Sequence, residues 1–204
     1  MSSPQGKKKQ TKKMKIGVLA LQGAFIEHIQ ILQQLDVEAA AVRLPEELDG
    51  LDGLIIPGGE STTMSRLMLD FQLMQPVKDL AKEGLPIMGT CAGMILLAKT
   101  VPGFLLQTLG LMDIAVRRNA FGSQVDSFET DLEMPALGRL PFHAVFIRAP
   151  IIEKANSTVE ILGKLSNGTT VAARQGKLIA VAFHPELTAD LRFHRYFLDI
   201  VGLR

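Results

Sequence analysis

The only cysteine of this 204-residue chain, Cys91, lies within Leu85-Pro-Ile-Met-Gly-Thr-Cys-Ala-Gly-Met94. An apolar run enters Gly89-Thr90-Cys91-Ala92-Gly93 and a helix-like stretch leaves it, which is the form of the G-x-S-x-G nucleophile elbow with sulfur in place of oxygen. Glycines two before and two after permit a tight turn that projects the central side chain from a sheet edge. The helix that follows offers free N–H groups, which stabilise a thiolate and a nearby oxyanion. A lone cysteine is more often an inert buried thiol. Here the strand–turn–helix context argues for a nucleophile.

A thiol nucleophile needs a base, and the chain has four histidines: His28, His143, His184 and His194. His28 and His194 fall in amphipathic helical patterns and read as surface or packing residues. His143 opens a strand and has no acid beside it in sequence. His184 ends the apolar run Leu178–Phe183 and is followed by Pro185-Glu186. Residues two apart in an extended segment share a side, so Glu186 can reach back to the His184 ring. A carboxylate there fixes the tautomer and stabilises the imidazolium.

The third segment is Pro57-Gly-Gly-Glu-Ser-Thr-Thr63. Two glycines free the backbone for close approach to a ligand, and Ser61 reads as the cap of a helix. A phosphate loop is one reading, but the lysine of a P-loop is missing and there is no G-x-G-x-x-G. The other reading is an oxyanion hole made by the N–H groups of Gly59 and Ala92. Arg118 follows Arg117, and such a pair is ordinarily solvated. The nine methionines read as core filling. No His/Asp/Glu cluster has the spacing of metal ligands.

The elements that must carry these residues alternate through the first half. Strand-like runs over 15–21, 37–44, 53–56 and 85–89 are separated by helical patterns over 24–35, 61–70, 72–82 and 92–99, which predicts a parallel sheet covered on both faces. Ligands of such sheets bind beyond the carboxyl ends of the strands, where 57–61 and 89–93 both fall. After Gly103 the pattern changes to short strands over 111–117, 123–131, 143–148, 158–165, 169–175 and 177–183. The last two read as a hairpin. A final helix covers about 189–201.

With 47% hydrophobic and 21% charged residues, the chain is globular, and one cysteine excludes an internal disulfide framework. Five lysines and no acid crowd residues 1–13, leaving 17 basic against 21 acidic side chains in 14–204, a net of −4. Residues 1–13 therefore read as a solvated basic tail before one domain over 14–204, and the folded part has no charge suited to nucleic acid. Ile16–Leu21 is too short for a signal peptide, and no segment nears the roughly 20 apolar residues of a membrane span. The expected setting is the cytoplasm, without membrane or nucleic-acid partners.

Taken together the three segments resemble the class I, triad-type glutamine amidotransferases. Ala20-Leu-Gln-Gly-Ala24, Arg118-Asn-Ala-Phe-Gly122 and Phe146-Ile-Arg-Ala-Pro150 narrow the resemblance to the glutaminase-subunit family of pyridoxal phosphate synthase. The matching segments run in order from residue 14 to the C-terminus. The resemblance implies a flavodoxin-like three-layer fold with an open, mostly parallel sheet and antiparallel additions. It also implies that Cys91 attacks the side-chain amide of L-glutamine, with His184 as base and then acid and Glu186 orienting it. Gly59, Glu60 and Ser61 would hold glutamine and the oxyanion, Arg118 would bind substrate, and Ile147 and Arg148 would complete the pocket through their main chain. Gln22 would face the synthase subunit, a (β/α)8 barrel with a dodecameric core. That partner would receive the ammonia and join it to ribose 5-phosphate and glyceraldehyde 3-phosphate. In this family the glutaminase is weak until the partner docks and reorganises the oxyanion loop. No cofactor or metal is implied for this chain. One departure is Ser123, where the family often has arginine.

Two other functions fit parts of the pattern. A glutaminase could serve a different synthase, such as one forming imidazole glycerol phosphate, although the 118–122 and 146–150 segments argue against it. A catalytically silent regulator of the barrel subunit would have no need of all three triad side chains. A hydrolase among the related cysteine-elbow proteins is weaker still, because those lack the His-Pro-Glu ending.

Overall fold

The continuous apolar runs become the centre of a sheet, because a strand covered on both faces has no solvent side to keep polar. β1 (Lys15–Leu19), β2 (Glu38–Val42), β3 (Gly53–Ile56), β4 (Ile87–Thr90) and β12 (Leu178–Val181) lie parallel in the order β2-β1-β3-β4-β12. Every residue of β3 and β4 is buried. The computed structural model describes residues 13–120, 122 and 126–203. Residues 1–12 of the expected tail, Phe121, Ser123 and the start of the strand expected over 123–131 lie outside the described residues.

Beyond β12 the sheet continues through β11 (Thr170–Gln175), β9 (Ile151–Ala155), β6 (Met112–Arg117) and β5 (Ala98–Thr100), with β10 (Glu160–Lys164) branching from β11. The expected hairpin is β11–β12, which pairs antiparallel from Gln175↔Leu178 to Ala172↔Val181. β9 runs antiparallel to both β11 and β6. A separate hairpin joins β7 (Ser127–Leu132) to β8 (Phe142–Ile147). The helices are α1 (Phe25–Gln34), α2 (Ser61–Asp70), α3 (Met74–Lys82), α4 (Ala92–Leu97) and α5 (Arg192–Gly202). Among the described residues, no helix is long and apolar enough to cross a membrane.

Three local expectations change. α4 ends at Leu97 rather than Lys99, and Ala98–Thr100 pairs with β6 instead. An all-buried apolar run has no period to separate helix from strand, so strand pairing decides it. β9 escapes the pattern because Ile151-Ile152-Glu153-Lys154-Ala155 hardly alternates; only Ile152 is fully inside. Ser61 does not cap α2. Glu60 does, accepting hydrogen bonds from the N–H groups of Thr62 (3.1 Å) and Thr63 (2.7 Å).

Candidate active site

β4 delivers Cys91 to the sheet edge with φ 49° and ψ −103°, a conformation that costs a non-glycine residue about 1–3 kcal/mol and persists only where its surroundings impose it. Its N–H is held by the carbonyl of Val181 at 2.8 Å, so the elbow is fastened to the end of β12. The elbow glycines are required by space. A Cβ on Gly93 would stand 2.0 Å from the carbonyl oxygen of Ile56, and one on Gly89 would stand 2.6 Å from the Gly93 carbonyl. The N–H of Ala92, first residue of α4, has no partner within its own helix.

β12 carries His184 to the same edge. Phe183, fully buried, packs edge-on against Phe146 and Phe193 at centroid distances of 5.8 and 5.4 Å. The His184 N–H donates to the Val145 carbonyl at 2.8 Å. These contacts hold the imidazole against two neighbouring elements. The residues after it form a turn rather than the extended segment expected. Pro185–Leu187 is a 3₁₀ turn, for which proline is preorganised at the first position. The turn still swings Glu186 back, and its Oε1 lies 2.6 Å from His184 Nδ1. Burial opposes charge on the ring, but hydrogen bonds with the Cys91 and Glu186 side chains overcome it and lift the His184 pKa to about 10. Sulfur, imidazole and carboxylate therefore act on one another, and such a set can move a proton off the thiol.

The glycine loop closes over this pair. A Cβ on Gly58 would be 2.4 Å from His184 Cε1 and 3.4 Å from the Cys91 Cβ, so the loop passes where only a hydrogen atom fits. The Gly58 carbonyl accepts from the Ala24 N–H at 3.1 Å, and the Glu60 N–H donates to Gln22 Oε1 at 2.7 Å. Gln22, expected at a partner face, thus holds the glycine loop within this chain.

A cleft of about 520 Å³ opens on the sulfur. Cys91, Ala92 and His184 form its chemical end, with Gly59, Glu60 and Ser61 along one wall. Arg118, Ile147 and Arg148 also line the cleft. Ser61 is buried, and its hydroxyl oxygen has no partner among the described residues, a group that a bound polar ligand would satisfy. Arg118 is not the solvated arginine its neighbour suggested. Its Nη2 donates to Glu60 Oε1 at 3.1 Å, and its guanidinium lies 4.0 Å over the Phe104 ring. Burial raises the Glu60 pKa, but the hydrogen bonds from Thr63 and Thr62 prevail and bring it to about 2. Glu60 is therefore an anion at the helix start. The Ile147 carbonyl faces the Cys91 sulfur at 3.8 Å, while the Arg148 N–H is spent on the Asp126 carbonyl at 2.6 Å.

The other three histidines do not line the cleft, and His28 and His194 prove to be packing rather than surface residues. His143 does have acids beside it, but across the β7–β8 hairpin: Asp131 at 2.9 Å and Glu129 at 2.7 Å. His28 and His194 are fully buried and 2.9 Å apart. Helix spacing contained that signal, since His28 stands three and four residues before the buried Ile31 and Leu32, and His194 three before Phe197.

Residues 18–202 match the model of the SNO glutamine amidotransferase family. A protein of Herpetosiphon aurantiacus named pyridoxal 5'-phosphate synthase subunit PdxT is 60% identical over 190 residues, covering 92% of this chain and all of that one. Its namesake in Thermotoga neapolitana is 51% identical over 188 residues, again 92% of this chain and all of the relative. A crystal structure described as a glutamine amidotransferase superposes with a TM-score of 0.88 at 49% identity, covering 92% of this chain and 99% of the other. A putative GMP synthase subunit from Thermoplasma acidophilum, 20% identical with a TM-score of 0.69 over 95% and 96% of the two chains, shares the fold. The parallel sheet with its antiparallel additions is thus the flavodoxin-like, class I amidotransferase fold, and the chain belongs to the SNO glutamine amidotransferase family.

Proposed function

We propose that the chain is the glutaminase subunit of a pyridoxal 5'-phosphate synthase, hydrolysing L-glutamine to glutamate and ammonia and passing the ammonia to a synthase subunit. The observation that carries this reading is the Cys91–His184–Glu186 set at the mouth of a ligand-sized cleft, in a chain 60% identical to a protein of that name. Residues 14–204 act as one glutaminase domain, in the cytoplasm, docked on a (β/α)8 partner with a dodecameric core. Gln22 stands beside the docking face, where a partner's contact with it would be felt by the glycine loop it holds.

In the proposed reaction the Cys91 thiolate, its proton on His184, attacks the amide carbon of glutamine. The Ala92 N–H and the Gly59 N–H stabilise the oxyanion, each such donor contributing about 2.7–4 kcal/mol. Collapse breaks the carbon–nitrogen bond, and His184 gives its proton to the departing ammonia. Acylation removes the sulfur's negative charge, one of the causes that hold the His184 proton, so the ring becomes a stronger acid at the step that needs one. Water then attacks the thioester with His184 as base, and glutamate leaves with Cys91 restored. Ser61, Arg118 and the main chain of Ile147 position the substrate, with Glu60 fixing Arg118 and Arg148 completing the pocket beside them. The silent-regulator alternative has no use for a sulfur held in a strained elbow against a charged imidazole.

The test is glutamate release from L-glutamine with and without the synthase subunit. Release that rises at least about tenfold when the subunit is added supports the reading. A purified mixture that forms no complex and releases no glutamate removes it. A second prediction arises from the glycine loop. Gly58→Ala pushes a methyl into the His184 ring, and a displacement of about 1 Å costs about 100-fold in kcat. Steady-state kinetics of that variant in the complex, beside a circular dichroism spectrum of unchanged shape, would check it. Wild-type turnover would show that the loop has room.

A further inference from the structure

The buried polar chain does not end at the triad carboxylate. Glu186 gives Oε1 to His184, while its Oε2 is buried, without a hydrogen-bond partner among the described residues, and 3.3 Å from Nε2 of His28. His28 Nδ1 lies 2.9 Å from His194 Nε2, and His194 Nδ1 meets no partner among the described residues. Thr90, the residue before Cys91, places Oγ1 3.4 Å from the same His28 Nε2. α1, α5, β4 and the turn after β12 thus each send one polar group to a single interior point behind the cleft.

One arrangement of hydrogens suits the set, and it is assigned from the network. If His184 is to face sulfur with Nε2 and take its proton, Nδ1–H must point at Glu186. A carboxylate only accepts, so His28 must turn a protonated Nε2 toward Oε2. Neutral His28 then has a bare Nδ1, which accepts from His194 Nε2–H. The end of the chain is the bare Nδ1 of His194, a lone pair rather than a stranded N–H, and this is the atom that has no partner. Burial keeps both rings uncharged: it brings the His194 pKa to about 4 and, with the nearby charge of His184 adding to it, holds His28 well below its ordinary value.

We infer that His28 is a positioning residue for the triad, a neutral imidazole whose Nε2–H faces the second oxygen of Glu186 so that the first stays on His184, with His194 fixing its tautomer. The inference rests on the triad reading above. A buried carboxylate gripped at one oxygen only is free to turn away from the ring it orients. Partners one shell removed from a reactive group are worth about 10- to 100-fold when lost, in metal sites where this has been measured.

Asparagine and glutamine at position 28 separate this role from packing. The shorter amide of His28→Asn reaches only where Nδ1 stood, whereas the amide nitrogen in His28→Gln reaches the place of Nε2. In the complex with the synthase subunit, His28→Asn should lower kcat about tenfold with KM little changed. It should also move the alkaline limb of the kcat profile to lower pH, because Glu186 then holds the His184 proton less well. His28→Gln should keep kcat within about threefold of wild type, on the same scale of effect. Equal losses in both variants with a wild-type pH profile, or no loss in either, would overturn the inference. Should His28→Asn not fold, nitrogen-15 NMR of the wild-type imidazoles decides. Neutral His28 protonated at Nε2 between pH 6 and 9 supports the role, and an Nδ1–H tautomer or a charged ring overturns it. Cys91→Ala run beside these distinguishes the two failures. If it still hydrolyses glutamine the triad reading falls, and if it is dead while His28→Asn behaves as wild type only the positioning role falls.

Discussion

Cys91→Ala is expected to reduce glutamate release by the assembled complex about 10⁵-fold or more. In a triad the nucleophile's loss costs about as much as losing all three members, near 10⁶-fold in kcat. No other thiol is present to take over. Alanine retains the Cβ that the elbow already accommodates at φ 49°, so the fold, the cleft and glutamine binding should survive. Calorimetric titration with glutamine should therefore give nearly the wild-type Kd in a protein with no turnover. Residual activity above about 1% of wild type would contradict the assignment, since the oxyanion donors alone leave far less than that.

Glu186→Gln ranks second, with an expected loss of about 10³- to 10⁴-fold in kcat. The amide is nearly isosteric with the carboxylate, so the loss is one of hydrogen placement. Glu186 accepts from His184 at one oxygen and faces His28 at the other. A glutamine has one oxygen and one NH₂ for those two places. With the NH₂ toward His184, the ring must turn a bare Nδ1 inward and its Nε2–H toward sulfur, the tautomer that cannot take the thiol's proton. With the NH₂ toward His28, two donors oppose each other.

The pH dependence follows from the same geometry. Burial works against a charged His184, while the Cys91 and Glu186 side chains raise its pKa from 6.5 to about 10. A raised folded-state pKa stabilises the native state fully below 6.5, and that contribution is lost as pH rises through about 10. Removing the carboxylate removes part of it. The Tm deficit of Glu186→Gln should accordingly be largest at pH 6 and shrink toward pH 10, with the alkaline limb of kcat displaced to lower pH. A deficit that grows toward pH 10 would show that His184 is not the group concerned.

Much of the molecule was legible in the chain because buried parallel strands leave few choices. Lys15–Leu19, Gly53–Ile56 and Ile87–Thr90 are largely apolar without alternation, and each is followed within four residues by a glycine (Gly23, Gly58, Gly93), so both their burial and their functional ends could be read. The elbow was legible for the same reason, as Gly89 and Gly93 are small where backbone must touch backbone. The edge beyond β12 was not. β5 and β9 are strands by virtue of their partner β6, and no local period marks either of them.

The order of residues was enough to say which side chains could do chemistry and which strand ends would carry them, because residue type and local spacing are properties of short segments. Who meets whom was left to the docking of distant elements. It brought Arg118 to Glu60 across 58 positions. It also buried His28 and His194 against each other across 166 positions, directly behind Glu186. Docking is settled by the apolar surface the elements bury rather than by the polar residues that come to face one another, so no short segment records these pairings.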